Sequence, residues 1–146
     1  MPTAQEILRH KPNNGLVTTT ATATVRDAAR LMKDKHVSAV LILAGDGVAD
    51  GILTEHDILL RVVGEDRPAA STPVGEVMTR KVIVVEASRP IEEVEAIMQQ
   101  HHISDVPVAG DNGLLGVLTV FDLIAYHADK HAQQAKMLTD YIYGRH

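Results

Sequence analysis

Cysteine and tryptophan are absent from the 146-residue chain, and its aromatic side chains number four: Phe121, Tyr126, Tyr141 and Tyr143. Without thiols there can be no disulfide, zinc–thiolate centre or thiol nucleophile. A chain that needs no disulfide staple suits a reducing compartment, and a cytoplasmic location is expected. The few aromatics stand apart from any basic run, and the net charge is −5 with histidines neutral. Nucleic-acid surfaces need a basic face and often stacking platforms, so no nucleic-acid partner is expected. Long apolar runs are missing as well. The longest, Ala39 to Ala44, falls far short of the ~20 residues that cross a bilayer. The start, MPTAQEILRH, has no basic-then-apolar leader pattern, and no membrane association is expected. GXSXG, HEXXH and glycine–lysine phosphate loops do not occur.

What the chain does have is a repeat. GILTEHD (Gly51 to Asp57) returns as GVLTVFD (Gly116 to Asp122) after 65 residues. HVSAV (His36 to Val40) returns as HISDV (His102 to Val106) after 66, and Val25 and Met32 match Ile91 and Met98 at that same shift. The odd residue falls in the glycine turns AGDGVAD and AGDNG, where a change of length is tolerated. Each copy reads as a short strand (Leu16 to Thr19; Val82 to Val85) followed by an amphipathic helix. Val25, Ala28, Ala29, Met32 and Val37 mark its apolar face in the first copy. A β-branched run, AVLIL or DVPVA, a glycine turn and a second strand follow, then another helix, from Glu55 to about Val63 or from Val120 onward. The order is β-α-β-β-α, twice. The fold class is therefore α+β with α/β-like repeats. Its expected division is a first repeat at 12–64, a linker at 65–78, a second repeat at 79–128 and a helical extension at 129–146. Units this small bury little core alone, so one module over 1–146 is expected, with the repeats face to face.

The repeat also sorts the charged cluster Glu55-His56-Asp57. Glu55 and His56 become Val120 and Phe121, whereas Thr54 and Asp57 return as Thr119 and Asp122. The shared element is Thr-x-x-Asp. Such a pair ahead of a helix is a capping box, with threonine accepting a backbone N–H and the acid opposing the helix dipole. The same corner also suits a ligand, because helix N–H groups attract anions and a carboxylate can hold vicinal ribose hydroxyls. Both readings stand on the pattern alone.

With HVSAVLIL…GILTEHD and HISDVPVA…GVLTVFD in order, the chain resembles a tandem pair of cystathionine-β-synthase (CBS) domains, a Bateman module, over nearly its whole length. The resemblance implies two β-α-β-β-α units packed through their sheets about a pseudo-two-fold axis. It implies clefts between them that bind adenosine-containing ligands such as AMP, ADP, ATP, NAD(H) or S-adenosylmethionine. Carried over by position, the first cleft would use Ile52, Thr54 and Asp57 with Val82, Ile83, Ile103 and Ser104 opposite. The second would use Val117, Thr119 and Asp122 with Leu16, Val17, Val37 and Ser38 opposite. Asp57 and Asp122 would hold ribose hydroxyls, Thr54 and Thr119 would contact ribose or phosphate, and the apolar positions would sandwich the base. Many similar modules carry arginine where His56 and Phe121 stand, and some carry a base at Asp105. His56, Arg80 and Lys81 are left as candidate phosphate partners of the first cleft; solvated surface charge is the plain alternative for Arg80 and Lys81. No cofactor is required, and the expected occupant is an adenine nucleotide (AMP, ATP or NAD(H)) or S-adenosylmethionine.

Among the eight histidines, His127 and His131 share a helix face as a metal pair would, but nothing nearby completes a ligand set. His36 and His102, equivalent by repeat, are expected to border their helices. The last helix, Val120 to about Ile142 with Gly144 as its stop, is apolar at both ends and polar through HADKHAQQAK. It is expected to clasp a second subunit in a homodimer, as CBS pairs commonly do. The functional expectation is a regulatory, non-catalytic module that senses an adenosine ligand and acts through a separate effector protein. Two rivals remain: a metal-dependent enzyme built on Glu55, His56 and Asp57, and a structural adaptor with empty clefts.

Overall fold

A computed structural model describes residues 2–142, with side chains described to residue 136. Gly144 and the side chains of Met137, Leu138, Tyr141 and Ile142 lie outside the described residues. Each repeat contributes one three-stranded sheet. The first holds β1 (Thr18–Thr19), β2 (Ala39–Leu43) and β3 (Ala49–Thr54); the second holds β4 (Val85–Glu86), β5 (Asp105–Gly110) and β6 (Gly113–Thr119). In both, the first pair is parallel and the second antiparallel. The antiparallel register slips between Ile42 and Leu43 and again between Val108 and Ala109, which are equivalent by repeat.

The parallel strand pairs need crossover helices, and the sequence supplies them. In α2 (Val25–Lys35) the Thr24 hydroxyl accepts the Asp27 N–H at 3.1 Å, and Val25, Ala28 and Met32 turn inward. Its counterpart α4 (Ile91–His101) follows Pro90 and buries Ile91, Val94 and Met98. The helices end at His36 and His102, both left-handed, with φ of 56° and 54°. That conformation costs an L-residue about 1–2 kcal/mol, and both copies adopt it to turn the chain into the central strand.

Three departures from the sequence expectation stand out. The leading strands are shorter than their apolar runs, because Leu16 and Val82 leave the sheet to pack against Ala39, Leu41, Ile52 and Val117. That cluster draws on both repeats and is where the sheets meet. The helix after Thr54 begins as α3 (Glu55–Asp57) but continues as a π-helix over Ile58–Val63, with the Gly64 N–H donating to the Leu59 carbonyl at 2.8 Å. Finally, a helix not expected from the sequence, α1 (Ala4–Leu8), is closed by a reciprocal Thr3–Glu6 capping box. It packs on the second repeat, where Ala4, Ile7 and Leu8 join Val85, Ile91 and Leu118. The chain just before the second repeat does the same for the first, burying Val74, Val77 and Met78 with Val25, Val40 and Leu53. Thus the Ala4 N–H donates to Arg89 while the Val74 N–H donates to Ala23. The last helix, α5, spans Val120–Ile142 as anticipated.

Candidate functional site

Two clefts open where the sheets meet. The first, of about 520 Å³, is lined by Ile52, Thr54, His56 and Asp57 of the first repeat and, across from them, by Lys81, Val82, Ile83, Ile103 and Ser104. Nine of the ten residues named for it from the sequence, all but Arg80, thus face one space. Thr79, Met98, Gln99, His102, Asp105 and Pro107 complete the lining. Arg80 is turned away, and its guanidinium donates to the Gly75 carbonyl at 3.0 Å.

Asp57 is the polar centre of this cleft. It is buried, and its Oδ2 accepts the Thr54 backbone N–H at 3.0 Å and the Thr54 hydroxyl at 3.1 Å. Its Oδ1 accepts the Thr79 hydroxyl at 3.0 Å, with Arg61 Nε 3.8 Å away. The Asp57 N–H returns a bond to Thr54 Oγ1 at 3.2 Å, which closes the capping box. Capping and ligand holding are therefore compatible: an ionised carboxylate offers about four acceptor positions, and these contacts leave room for a further hydroxyl.

The second cleft, of about 790 Å³, takes Val117, Thr119 and Asp122 from the second repeat and Val37 and Ser38 from the first. Leu16 and Val17 do not line it. Leu16 lies in the shared apolar cluster, and Val17 packs on the first repeat's core. Here Thr119 and Asp122 repeat the box, the Thr119 N–H donating at 2.7 Å and its hydroxyl at 3.1 Å. The surroundings differ, however. Lys11 Nζ donates to Asp122 Oδ2 at 2.7 Å and to the Val117 carbonyl at 2.8 Å. Lys11 was not singled out from the sequence, although a signal existed: EILRHK (Glu6 to Lys11) aligns with EVMTRK (Glu76 to Lys81) at a shift of 70. The insertion Pro12–Gly15 hides it from the 66-residue repeat.

Between the clefts lies a smaller space of about 270 Å³, lined by Ser38, Glu55, His56, Leu59, Ser104, Asp105, Thr119 and Phe121. Asp105 borders all three cavities. Its buried carboxylate accepts Ser38 at 2.5 Å through Oδ1 and Ser104 at 2.9 Å through Oδ2. The equivalent position in the first repeat is Ala39, so the carboxylate has no counterpart there.

The trio Glu55-His56-Asp57 is split between cavities: Glu55 faces the second cleft and Asp57 the first. His127 is engaged by Glu95 through Nε2, its ring 6.5 Å from that of His131. Among the described residues no group of three or more His, Asp or Glu side chains could hold a metal ion.

The family model described as "CBS domain" matches this chain twice, over residues 4–64 and 74–129. The chain belongs to the CBS domain family. The two matches begin at Ala4 and Val74, the positions where each lead-in segment enters a core. The CBS domain-containing protein YhcV of Bacillus subtilis is 33% identical over 108 residues, which cover 74% of this chain and 76% of that protein. A signal-transduction protein with CBS domains from Burkholderia ambifaria, described as putative, superposes with a TM-score of 0.78 at 37% identity, over 84% of this chain and 91% of the other. The CBS domain pair of protein MJ0100, solved with 5′-methylthioadenosine and S-adenosyl-L-methionine, matches at 25% identity and a TM-score of 0.77, covering 89% of this chain and 98% of that one. A CBS domain protein from Pyrobaculum aerophilum complexed with AMP matches at 28% and 0.72, covering 84% and 90%. This CBS pair thus shares its architecture with structures solved in complex with adenosine-containing ligands. Among its described residues no helix is long and apolar enough to cross a membrane.

Proposed function

We propose that this CBS pair is a non-catalytic regulatory module that binds an adenosine-containing ligand between its repeats and relays occupancy to an effector protein. The observation that carries this reading is the first cleft. A buried carboxylate with acceptor capacity to spare stands opposite an apolar wall supplied by the other repeat. Asp57 is suited to ribose hydroxyls, and Val82, Ile83 and Ile103 to the faces of a base. The relatives solved with AMP and with S-adenosylmethionine support the ligand class, within which AMP, ADP, ATP, NAD(H) and S-adenosylmethionine are candidates. Asp122 and Thr119 equip the second cleft for the same class.

Regulation follows from where the ligand sits. A molecule touching both repeats favours the mutual arrangement that closes around it, and only that differential affinity shifts the equilibrium. At one hundred times its Kd, such a ligand stabilises the bound form by about 2.7 kcal/mol. An effector that contacts both repeats can read such a shift. The module is read as acting in the cytoplasm, and as a homodimer, the latter supported by exposed Leu59, Leu60 and Val63 after one Thr-x-x-Asp and exposed Phe121 and Ile124 after the other.

Isothermal titration calorimetry with adenosine tests the reading. Saturable binding is expected for the natural chain, with the first-cleft component lost in Asp57→Ala, whose folding is checked by circular dichroism. If adenosine, AMP and S-adenosylmethionine all fail to bind at millimolar concentration, the clefts are structural and the reading falls.

A further inference from the structure

Taking the clefts as adenosine sites, we infer that Asp105 selects the ligand's 5′ substituent: uncharged or cationic groups are accepted and phosphates are disfavoured. The reasoning starts from the direction in which a bound nucleoside must point. With its base on Val82 and Ile83 and its ribose on Asp57, the 5′ end has the side of the first cleft formed by His56, Ser104 and Asp105 open to it, while Lys81, Gln99 and His102 line the rest. Those three residues also border the central space, which the second cleft reaches through Ser38, Thr119 and Asp105. The 5′ ends of both ligands therefore converge on one carboxylate.

The surroundings of that carboxylate oppose a second negative charge. Among the described residues no lysine or arginine lines the central space; the acidic members there are Glu55 and Asp105, and the one basic side chain is His56. The lysines of the clefts lie elsewhere. Lys81 adjoins Val82 on the apolar wall, Lys33 lines the second cleft from α2 without reaching the central space, and Lys11 Nζ is held between Asp122 and the Val117 carbonyl. Asp105 is only 8% exposed, so solvent screens it little. Ser38 and Ser104 spend their hydroxyl protons on Asp105, which leaves neither free to donate to a phosphate oxygen without breaking that bridge. A cation or an apolar thioether meets no such penalty, and a cation gains from both carboxylates.

Calorimetry at fixed ionic strength with adenosine, 5′-methylthioadenosine, S-adenosylmethionine, AMP and ATP decides the matter. For the natural chain, adenosine and its uncharged or cationic derivatives should bind at least ~10-fold tighter than AMP, a difference of about 1.4 kcal/mol, and ATP should bind more weakly still. Asp105→Asn keeps the size of the bridge while removing its charge, its oxygen accepting from one serine and its amide N–H donating to the other, and should narrow the adenosine-to-AMP ratio by about the same factor. AMP binding as tightly as adenosine, or a ratio unchanged in Asp105→Asn, overturns the inference while leaving the clefts as adenosine sites. Absence of binding by every one of these ligands instead removes the reading on which it rests. Should Asp105→Asn fail to fold, the ratio measured on the natural chain alone still decides.

Discussion

Asp57 and Asp122 show how one motif acquires two characters from its neighbours. Both close a capping box on a threonine three residues earlier. One is then met by the Thr79 hydroxyl and the other by the Lys11 ammonium. The Lys11–Asp122 pair is only 18% exposed on each side, so it lies outside the class of solvated surface pairs that contribute little. Lys11→Met should destabilise the protein by about 1–2 kcal/mol in a urea titration, since a charged hydrogen bond in a part-buried site is lost. A change below ~0.3 kcal/mol would place the pair with ordinary surface contacts. Thr-x-x-Asp was legible in the sequence because the chain prints it twice, each time at the end of an equivalent strand. Lys11 was not, because Pro12–Gly15 shifts it out of register. That insertion also holds the left-handed Asn13, Asn14 and Gly15, of which Gly15 lines the second cleft. A Cβ on Gly15 would lie 2.8 Å from Lys11 Nζ, so the lysine's position and the glycine depend on each other.

Secondary-structure elements were recognised in proportion to how much of their stabilisation is local. The helices α2 and α4 and the β2–β3 and β5–β6 hairpins follow from periodicity, caps and glycine turns within each repeat. The five-residue α1 offers too few turns for a periodic signal, and its apolar face is buried by residues of the second repeat, from Val85 to Leu118. Short parallel strands such as β1 and β4 are equally dependent on distant pairing. The π-helix leaves no mark on the apolar pattern, although Gly64 fits it: a Cβ there would approach the Leu60 carbonyl to 2.7 Å. Because α1 completes the core of the second repeat, Leu8→Ala should cost about 2–4 kcal/mol, as buried leucine truncations do. Denaturant titration measures this directly. A loss under ~1 kcal/mol would mean that α1 rests on the second repeat without belonging to its core.

The whole molecule is two similar halves, each completed by the segment that precedes the other, around a shared apolar seam. This exchange ties the repeats together, so a ligand that draws them closer works against a connected body and not two hinged beads. Among the described residues most of the large apolar side chains left outside, all but Val48 and Val84, lie on the two helices that begin at the Thr-x-x-Asp corners. Leu59, Val63 and Phe121 are each more than half exposed. A second copy covering them would need about 800 Å² per partner to be stable. Phe121→Glu should then convert a dimer into a monomer in size-exclusion chromatography with light scattering; a mass equal to that of the natural chain would locate the contact elsewhere. The central claim, that an adenosine moiety occupies the space between the repeats, is tested most directly by an amide NMR titration of the natural chain with adenosine. Saturable shifts should centre on Thr54 and Asp57 in one repeat and on Val82, Ile83 and Ile103 in the other. Spectra unchanged at millimolar adenosine, or shifts confined to residues of one repeat away from the clefts, would contradict it.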